Sequence, residues 1–360
     1  MYLSDIKQIG MDIIKQYEEL KDYQKAQFKN LLIKLLGINS VNAEAIASEG
    51  MVCRKCGEAH FIKNGTFNGV QRYQCKKCKS TQAHDANTAL YNLKLKEKWV
   101  DFVYYMLDNE TLSTCESIAK NIKISIPTAH DWRHKMLSAL HDSNPLNIGE
   151  EVELDEIYLR FNVKGTIGKE KFCIESGDDG SKVNIESPLR QEEKKMIEEK
   201  YQVIIMCAHN RNGDFDFAPI KIQKKGSASA EDLRNGMTDF NLEGKTIITD
   251  KEPAMASFLD GVTGVNHLTF KSSDIKQGIV CIKDVHNNNI NNTMMMFRDW
   301  QKKFRGFSTK YIMNYLKWFR FVRLFEMSKI KEMVTFSLVD KESYPRYKSI
   351  FSNYEALVNL

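Results

Sequence analysis

The feature that most constrains the fold of this chain is a set of four cysteines in two closely spaced pairs. Cys53 and Cys56 form the first pair, and Cys75 and Cys78 form the second. The spacing lies in the range of zinc sites, because four thiolates can close a tetrahedral shell around Zn²⁺, and a closed shell is structural rather than catalytic. The segment 50–84 is too small to hold a core without a metal. We therefore expect zinc binding and folding to be one process.

The residues between the cysteine pairs predict a hairpin, which makes the segment a zinc ribbon. Asn68-Gly69 stands between two strand-like stretches and is a strong two-residue turn signal. Gly57 follows the first pair, where a tight knuckle favours a residue that tolerates positive φ. His60 and His84 are interpreted as surface residues rather than ligands. The basic residues around the knuckles are Lys55, Lys63, Arg72, Lys76, Lys77 and Lys79. They suit phosphate contacts, and a solvated basic face is the competing interpretation.

The length and composition are those of a globular protein with more than one domain. The chain has 360 residues, of which 42% are hydrophobic and 28% are charged, and its formal net charge is +5. A mild positive excess is compatible with a nucleic-acid partner without proving one. No apolar run approaches the roughly 18 residues of a membrane span, and the first residues lack a signal-peptide pattern. We expect a cytoplasmic protein without a membrane partner, in which the unpaired Cys115, Cys173, Cys207 and Cys281 are buried apolar residues.

Residues 85–147 predict a helical region that contains a helix-turn-helix. A first helix is expected over Tyr91–Leu107, and Ile118, Ala119 and Ile122 then mark a short one. Ser125 can cap the next helix, and Pro127 falls in its first turn, where proline is tolerated. The second helix of such a pair usually enters the major groove of DNA. The candidate DNA-binding residues are Thr128, His130, Arg133 and Lys135. Plain packing of two core helices is the alternative interpretation.

Two acids stand at the positions of a sheet where a metal could bind. The stretch Gly149–Arg160 alternates as a half-buried strand and carries Asp155 in its middle, where Asp is a poor strand former. A second apolar strand, K-T-I-I-T-D, ends on Asp250. Carboxylates on adjacent strands could hold two Mg²⁺ ions about 4 Å apart. A solvated strand face is the alternative for both acids.

The order of elements after residue 147 predicts an α/β domain. Further strands are expected over Tyr201–Ala208 and Asp214–Ile222, and aromatic helices follow from Trp300 onward, with their rings expected in the core. The resulting division is a helical N-terminal region 1–49, the ribbon 50–84, the helix-turn-helix region 85–147, a catalytic domain 148–330 and a C-terminal tail 331–360.

The sequence resembles the insertion-sequence transposases of the insertion sequence 1595 type. The resemblance covers roughly residues 50–322 and rests on the ribbon, on T-A-L-Y-N-L-K-L-K-E-K-W, and on T-A-H-D-W-R-H-K-M-L, V-E-L-D-E-I-Y and I-I-T-D. The most specific match is V-H-N-N-N-I-N-N-T-M-M-M-F-R-D-W with F-R-G-F-S-T-K-Y-I-M-N-Y-L-K-W-F after it. It implies a ribonuclease-H-like α/β catalytic domain behind a zinc ribbon and a helix-turn-helix region.

The resemblance also implies the roles of particular residues. Asp155 and Asp250 fall at the first and second metal-binding acids, and Asn291 falls at the third position, which is Glu or Asn in different branches of the family. Arg298 stands where a lysine is common, and His286 matches the histidine that opens the last motif. Asn291 and Arg298 are seven residues apart, so one helix would carry both on the same side. The alternatives are a helix cap for Asn291 and a plain surface role for Arg298. The acids ranked behind Asn291 are Glu252, Asp284 and Asp299.

The implied activity is that of a DDE-type DNA transposase. Such a protein binds the terminal inverted repeats of its element and uses Mg²⁺ or Mn²⁺ in strand cleavage and strand transfer. One partner would be double-stranded DNA, as both the element ends and the target. The protein would also form a homodimer or a larger assembly, because two ends are held together. One alternative is a DNA-binding regulator or inactive derivative that binds ends without cutting. A nuclease unrelated to transposition is the other.

Overall fold

The computed structural model describes residues 51–67, 70–107, 114–140, 149–163, 171–175, 182–186, 191–270, 286–304, 306–324 and 329–350. The predicted helical region 1–49 lies outside these residues. The chain divides into two compact units, Met1–Ala86 and Asn87–Leu360. The first contains a cluster of four cysteines, and the second is a mixed α/β structure.

The first unit contains a three-stranded antiparallel sheet. Its strands are β1 (Phe61–Phe67), β2 (Val70–Cys75) and β3 (Thr81–Ala83), in the order β1-β2-β3. Phe67 pairs with Val70, which agrees with the predicted hairpin at Asn68-Gly69. The two turn residues themselves lie outside the described residues.

Two equivalent backbone knuckles carry the cysteine pairs. Gly57 N donates to Cys53 O at 2.8 Å, and Lys79 N donates to Cys75 O at 3.0 Å. Both donors have a left-handed backbone, with φ of 69° at Gly57 and 60° at Lys79. The expectation for Gly57 is confirmed. The second knuckle holds the same conformation with a lysine, which is strained there because its Cβ crowds the following carbonyl oxygen.

The second unit opens with three helices, α1 (Trp99–Leu107), α2 (Cys115–Ile122) and α3 (Ile126–Leu137). The predicted start of the first helix at Tyr91 is wrong by eight residues. Asn92 has φ of 63°, a left-handed backbone that a helix cannot contain. The residues around it form turns, and the helix begins only after them. The two following helices agree with the prediction, since Ser125 Oγ accepts from Thr128 N at 3.2 Å and Pro127 lies in the first turn of α3.

A five-stranded mixed sheet forms the centre of the second unit. It contains β4 (Glu151–Arg160), β7 (Tyr201–Asn210), β8 (Phe215–Lys224), β9 (Thr246–Asp250) and β10 (Asn266–Phe270). The order is β10-β9-β4-β7-β8. The first three strands along the chain pair antiparallel, and β9 and β10 are parallel to their neighbours. A separate hairpin, β5 (Lys171–Glu175) with β6 (Lys182–Glu186), and helix α4 (Gln191–Lys200) connect β4 to β7.

Helices cover both faces of this sheet. Val152 and Leu154 of β4 belong to a buried cluster with Leu233 of α5 (Ala230–Gly236) and Phe258 of α6 (Pro253–Leu259). On the other face, Phe217 of β8 contacts the rings of two further helices. They are α7 (Asn288–Lys302) and α8 (Ile312–Leu324), which contribute Phe297 and Phe319. The expected core position of the late aromatic run is confirmed by the burial of Tyr315, Trp318, Phe319 and Phe321.

The residues set apart as a C-terminal tail are helical where the structure describes them. Helix α9 (Lys329–Val339) is followed by helical residues 343–350. The indole N–H of Trp99 in α1 donates to Ser337 Oγ at 2.9 Å, and both side chains are buried. These residues therefore pack on the helical region rather than extending from the five-stranded sheet.

The strained knuckle predicts an unusual stabilising substitution. Lys79→Gly should stabilise the folded ribbon by about 0.5–1 kcal/mol, because glycine adopts positive φ without a steric cost. Since zinc binding and folding are coupled, the apparent zinc affinity should rise about two- to fivefold in a chelator competition assay. Gly57→Ala should lower it. Equal zinc affinity of all three proteins would contradict the role of the left-handed backbone.

Candidate functional site

The four predicted zinc ligands lie together in the ribbon. Their sulfur atoms are all within 4.8 Å of one another, with Cys53 and Cys78 at 3.4 Å and Cys56 and Cys75 at 3.7 Å. Tetrahedral Zn²⁺ with bonds of about 2.3 Å places its sulfurs about 3.8 Å apart. The donor set therefore fits a closed structural zinc site.

A serine beside Cys53 and Cys78 favours the metal-binding form of these two thiols. Ser80 Oγ lies 3.1 Å from Cys53 Sγ and 3.0 Å from Cys78 Sγ. This hydrogen bond lowers the pKa of the Cys78 thiol. A lower pKa means more thiolate, and thiolate is the species that binds zinc. The sequence pattern did not single out Ser80.

The two predicted acids lie just beyond the paired part of two adjacent strands. β4 and β9 pair in parallel from Glu151 with Thr246 to Glu153 with Ile248, so partners differ by 246 − 151 = 95 positions. Asp155 and Asp250 each lie two residues past the last pair and have the same offset, since 250 − 155 is also 95. Both acids fall on the face of the sheet that α7 covers, because side chains alternate along a strand and paired residues share a face.

The charge of Asp250 acts on the carboxyl of Asp155. Burial first, and then the charges of Asp250, Glu156 and Glu252, raise the pKa of Asp155 to about 6. Burial also raises the pKa of Asp250, and burial with the charge of Asp250 raises that of Glu252. Among the described ion pairs, none includes Asp155 or Asp250. Clustered acids without a cation suit a divalent metal, which would offset their repulsion.

The carboxylates alone do not complete a metal shell. In the part of the chain that the structure describes, only the four cysteines bring three or more Cys, His, Asp or Glu donor atoms within 4.8 Å of one another. A metal at Asp155 and Asp250 would therefore take its remaining oxygens from amides or water. This fits Mg²⁺, which keeps several waters when two protein carboxylates hold it.

Helix α7 carries the other two predicted residues on one exposed side. Asn291 and Arg298 are both exposed, whereas Ile290, Thr293 and Phe297 are buried. The cap of this helix is Asn287, so the alternative in which Asn291 is the cap is wrong. Asn291 lies instead in the first turn of the helix.

A buried acid that the sequence did not single out fixes the start of α7. Glu153 is fully buried and lies on β4, two residues before Asp155. Its carboxylate accepts from Ile290 N at 2.9 Å, from Asn289 Nδ2 at 2.9 Å and from Arg211 Nη1 at 2.5 Å. His286, the histidine of the last motif, has its Nδ1 3.2 Å from Arg211 Nη1.

The four candidate DNA-binding residues divide into two groups. Thr128 is partly exposed and His130 is exposed, both near the start of α3. Arg133 is only 6% exposed, with its guanidinium 5.5 Å from the ring centre of Trp318 in α8. Lys135 is 7% exposed and pairs with Asp131 at 3.2 Å. In this conformation the two cations serve packing inside the unit and are not presented to a phosphate.

None of the described helices is both long enough and apolar enough to cross a membrane. Of the isolated cysteines, Cys207 is buried as expected and Cys115 is half-buried. Cys281 lies outside the described residues, and so does Asp284.

Comparison with known proteins relates part of the chain to a mobile element. No family model matches the chain. A segment of 117 residues, 32% of the chain, is 27% identical to an uncharacterized protein in transposable element ISH50 of Halobacterium salinarum. The match spans 39% of that relative's length.

Two solved structures also align with most of the chain. They are a pre-cleavage Mos1 transpososome and the Mos1 strand transfer complex, at 10% and 11% sequence identity. The alignments cover 71% and 72% of this chain and 77% of each matched chain, with a TM-score of 0.22 in both. At this TM-score the likeness carries no argument about fold or chemistry.

The raised pKa of Asp155 predicts how its removal changes stability with pH. The pKa rises from 3.8 to about 6, so the stabilisation from the bound proton is complete below about pH 4 and is lost as pH rises through 6. Without added divalent metal, the midpoint of urea unfolding of Asp155→Asn should lie at a higher urea concentration than that of the parent at pH 8. At pH 4 the two midpoints should be equal. The difference at pH 8 should be on the order of 1–2 kcal/mol, allowing for partial exposure of the carboxylate.

Tryptophan fluorescence is a suitable probe, because all four tryptophans lie in the second unit. The measurement therefore follows the sheet and not the ribbon. The exposed Asp239→Asn serves as the control, with no change in stability at either pH. A gain at pH 8 that persists at pH 4 would show that the effect is not due to the Asp155 charge.

Proposed function

We propose that this chain is a DDE-type DNA transposase that binds the ends of an insertion sequence and catalyses strand cleavage and strand transfer. The observation that supports the proposal is the parallel pairing of β4 and β9, because its continuation by two residues would bring Asp155 and Asp250 together on one face of the sheet. The charge of Asp250 also contributes to the raised pKa of Asp155. The relationship of part of the chain to a protein of a transposable element is consistent with this function.

The proposed catalytic domain is the ribonuclease-H-like sheet of the second unit. The strand order and directions support this assignment, with β4 in the centre and the parallel β9 beside it. Asp155 and Asp250 would each offer carboxylate oxygens to Mg²⁺ or Mn²⁺, and Asn291 would add a neutral amide oxygen. When bound, the metal ions would activate the attacking oxygen and stabilise the leaving oxygen.

The remaining residues of the site would bind and orient the DNA. Arg298 is exposed on the same side of α7 as Asn291, and a guanidinium can hold a phosphate through two hydrogen bonds. Water would first cleave one phosphodiester at each end. The freed 3′-hydroxyl would then attack target DNA in line, without a covalent protein intermediate. Two ends would be held by a dimer or a larger assembly.

End recognition is proposed to use the ribbon and the start of α3. The N-terminal residues of the second helix of such a pair are those that reach base edges. Thr128 is partly exposed and His130 is exposed there, which supports their role and separates them from the buried Arg133 and Lys135. Desolvation, together with the charges of Arg133 and Lys310, lowers the pKa of His130, which favours its neutral ring.

A second function, end binding without cleavage, keeps one specific observation in its favour. Asn291 is neutral, so a site of Asp155, Asp250 and Asn291 has two negative charges where a third acid would give three. A metal held by fewer charges binds more weakly. An assay of strand transfer distinguishes the transposase from a protein that binds ends without cleavage.

Removal of either acid should abolish strand transfer. Zinc-loaded protein is mixed with a labelled fragment that carries the element's end, a plasmid target and Mg²⁺ or Mn²⁺. Asp155→Asn and Asp250→Asn should each lower the yield of joined product at least about 10³-fold, because the metal-binding charge is lost. Asp239→Asn, which changes an exposed acid, should match the parent.

End binding by the same variants should be unchanged, which separates chemistry from recognition. Specific end binding by the parent without cleavage in either metal would favour the binding-only function. Product from Asp155→Asn at the parental rate would overturn the assignment of the acids.

Substitution of the exposed α3 residues should reduce specificity rather than general affinity. Thr128→Ala and His130→Ala should each weaken binding to the element's end about tenfold, in line with the loss of one base contact. Binding to random-sequence DNA and its salt dependence should not change, because neither residue brings a charge to a phosphate. An equal loss on both DNAs, measured by fluorescence anisotropy, would contradict base reading by this helix.

A further inference from the structure

The buried carboxylate of Glu153 joins the strand of Asp155 to the helix of Asn291. Glu153 is 0% exposed and stands two residues before Asp155, on the same face of β4. Its Oε2 accepts from the backbone N–H of Ile290, the residue immediately before Asn291. Its Oε1 accepts from Asn289 Nδ2 and Arg211 Nη1. One side chain therefore spans the two elements that carry the proposed first and third ligands.

We propose that Glu153 is a positioning residue that sets the distance between Asn291 and Asp155. This inference rests on the proposed function, in which Asn291 completes the metal site. Glu153 itself is not a ligand, because three N–H donors already occupy its two oxygens. Metal binding at that carboxylate would require breaking these bonds.

The network is built for a carboxylate and not for a neutral isostere. Both oxygens of Glu153 face donors, so a glutamine in either orientation would point its own N–H₂ group at a donor. Arg211 balances the buried charge, with Nη1 2.5 Å from Glu153 and Nε 3.5 Å from Glu151. The helix start adds a favourable interaction, because free N–H groups at a helix N-terminus attract negative charge.

Asn291 needs such support because its own helix start lacks a side-chain cap. Asn287, the capping residue of α7, makes no side-chain cap hydrogen bond, and no acid stands in the first turn. The Glu153 carboxylate takes the place of the cap from the neighbouring strand. A neutral amide ligand gains less from charge attraction than a carboxylate does, so its contribution depends more on being held in position.

The test compares Glu153→Gln with Glu151→Gln by three measurements. Glu151 is a matched control because it is on the same strand, contacts the same Arg211 and is exposed. Hydrogen exchange of a peptide covering residues 287–291 should become at least about tenfold faster in Glu153→Gln and stay unchanged in Glu151→Gln. Added Mn²⁺ should slow this exchange in the parent and have a weaker effect in Glu153→Gln.

Strand transfer supplies the third measurement, as a double-mutant cycle with Asn291→Ala. Glu153→Gln and Asn291→Ala should each reduce the rate about 10- to 100-fold. The double variant should be no slower than the more impaired of the two single variants. Independent, multiplicative losses would overturn the positioning role. Unchanged hydrogen exchange at residues 287–291 would also overturn it.

Two features keep the inference separate from the proposed function. If the parent shows no strand transfer, the proposed function fails, and the exchange and Mn²⁺ measurements still decide the role of Glu153. If Glu153→Gln does not fold, Asn289→Ala replaces it, because this variant removes one donor and leaves the Arg211 pair intact. It should give a smaller change in the same direction, and no change in exchange would overturn the inference.

Discussion

The architecture of the second unit depends on the register between β4 and β9. On one face of the sheet, Val152, Leu154 and Ile247 are buried in a common apolar cluster. A slip of one residue would turn these side chains away from the core, so their burial fixes the pairing. Asp155 and Asp250 lie two residues beyond this pairing, on the opposite face. The hydrophobic effect on one side of the sheet thus stabilises the strand pairing next to the two acids on the other side.

Acids on β4 fall into two electrostatic classes. Glu153 has its charge balanced by Arg211 and by the start of α7, and it is fully buried. Asp155 takes part in none of the described ion pairs, and its pKa is raised to about 6. Pairing offsets much of the desolvation cost of a buried charge, whereas an unpaired charge costs stability, and perturbed groups of this kind cluster at functional sites. The contrast between two residues of one strand is the strongest electrostatic argument for a metal site at Asp155.

The sequence predicted what local pattern and spacing determine. The cysteine spacing predicted the cluster of four cysteines, the alternation around Asp155 predicted strand β4, and Ser125 with Pro127 predicted the start of α3. It could not reveal Glu153 as a link, because Arg211 and Asn289 lie 58 and 136 positions away. It misplaced the first helix because apolar spacing cannot show that Asn92 takes a left-handed backbone. It named Arg133 and Lys135 as candidate DNA-binding residues and could not show their burial, since the ring of Trp318 and the tyrosines near Lys135 come from distant segments.

The packing of α3 on α8 has a consequence for any DNA held by this unit. Arg133 lies over Trp318, and His134 stacks on Tyr311 with ring centres 3.6 Å apart. Tyr347 adds a hydrogen bond to Asp131 from the last described helix. Helix α3 and the sheet therefore belong to one compact unit. Under the proposed function, the number of base pairs between the sequence bound by α3 and the cleaved bond would be set by this side-chain packing.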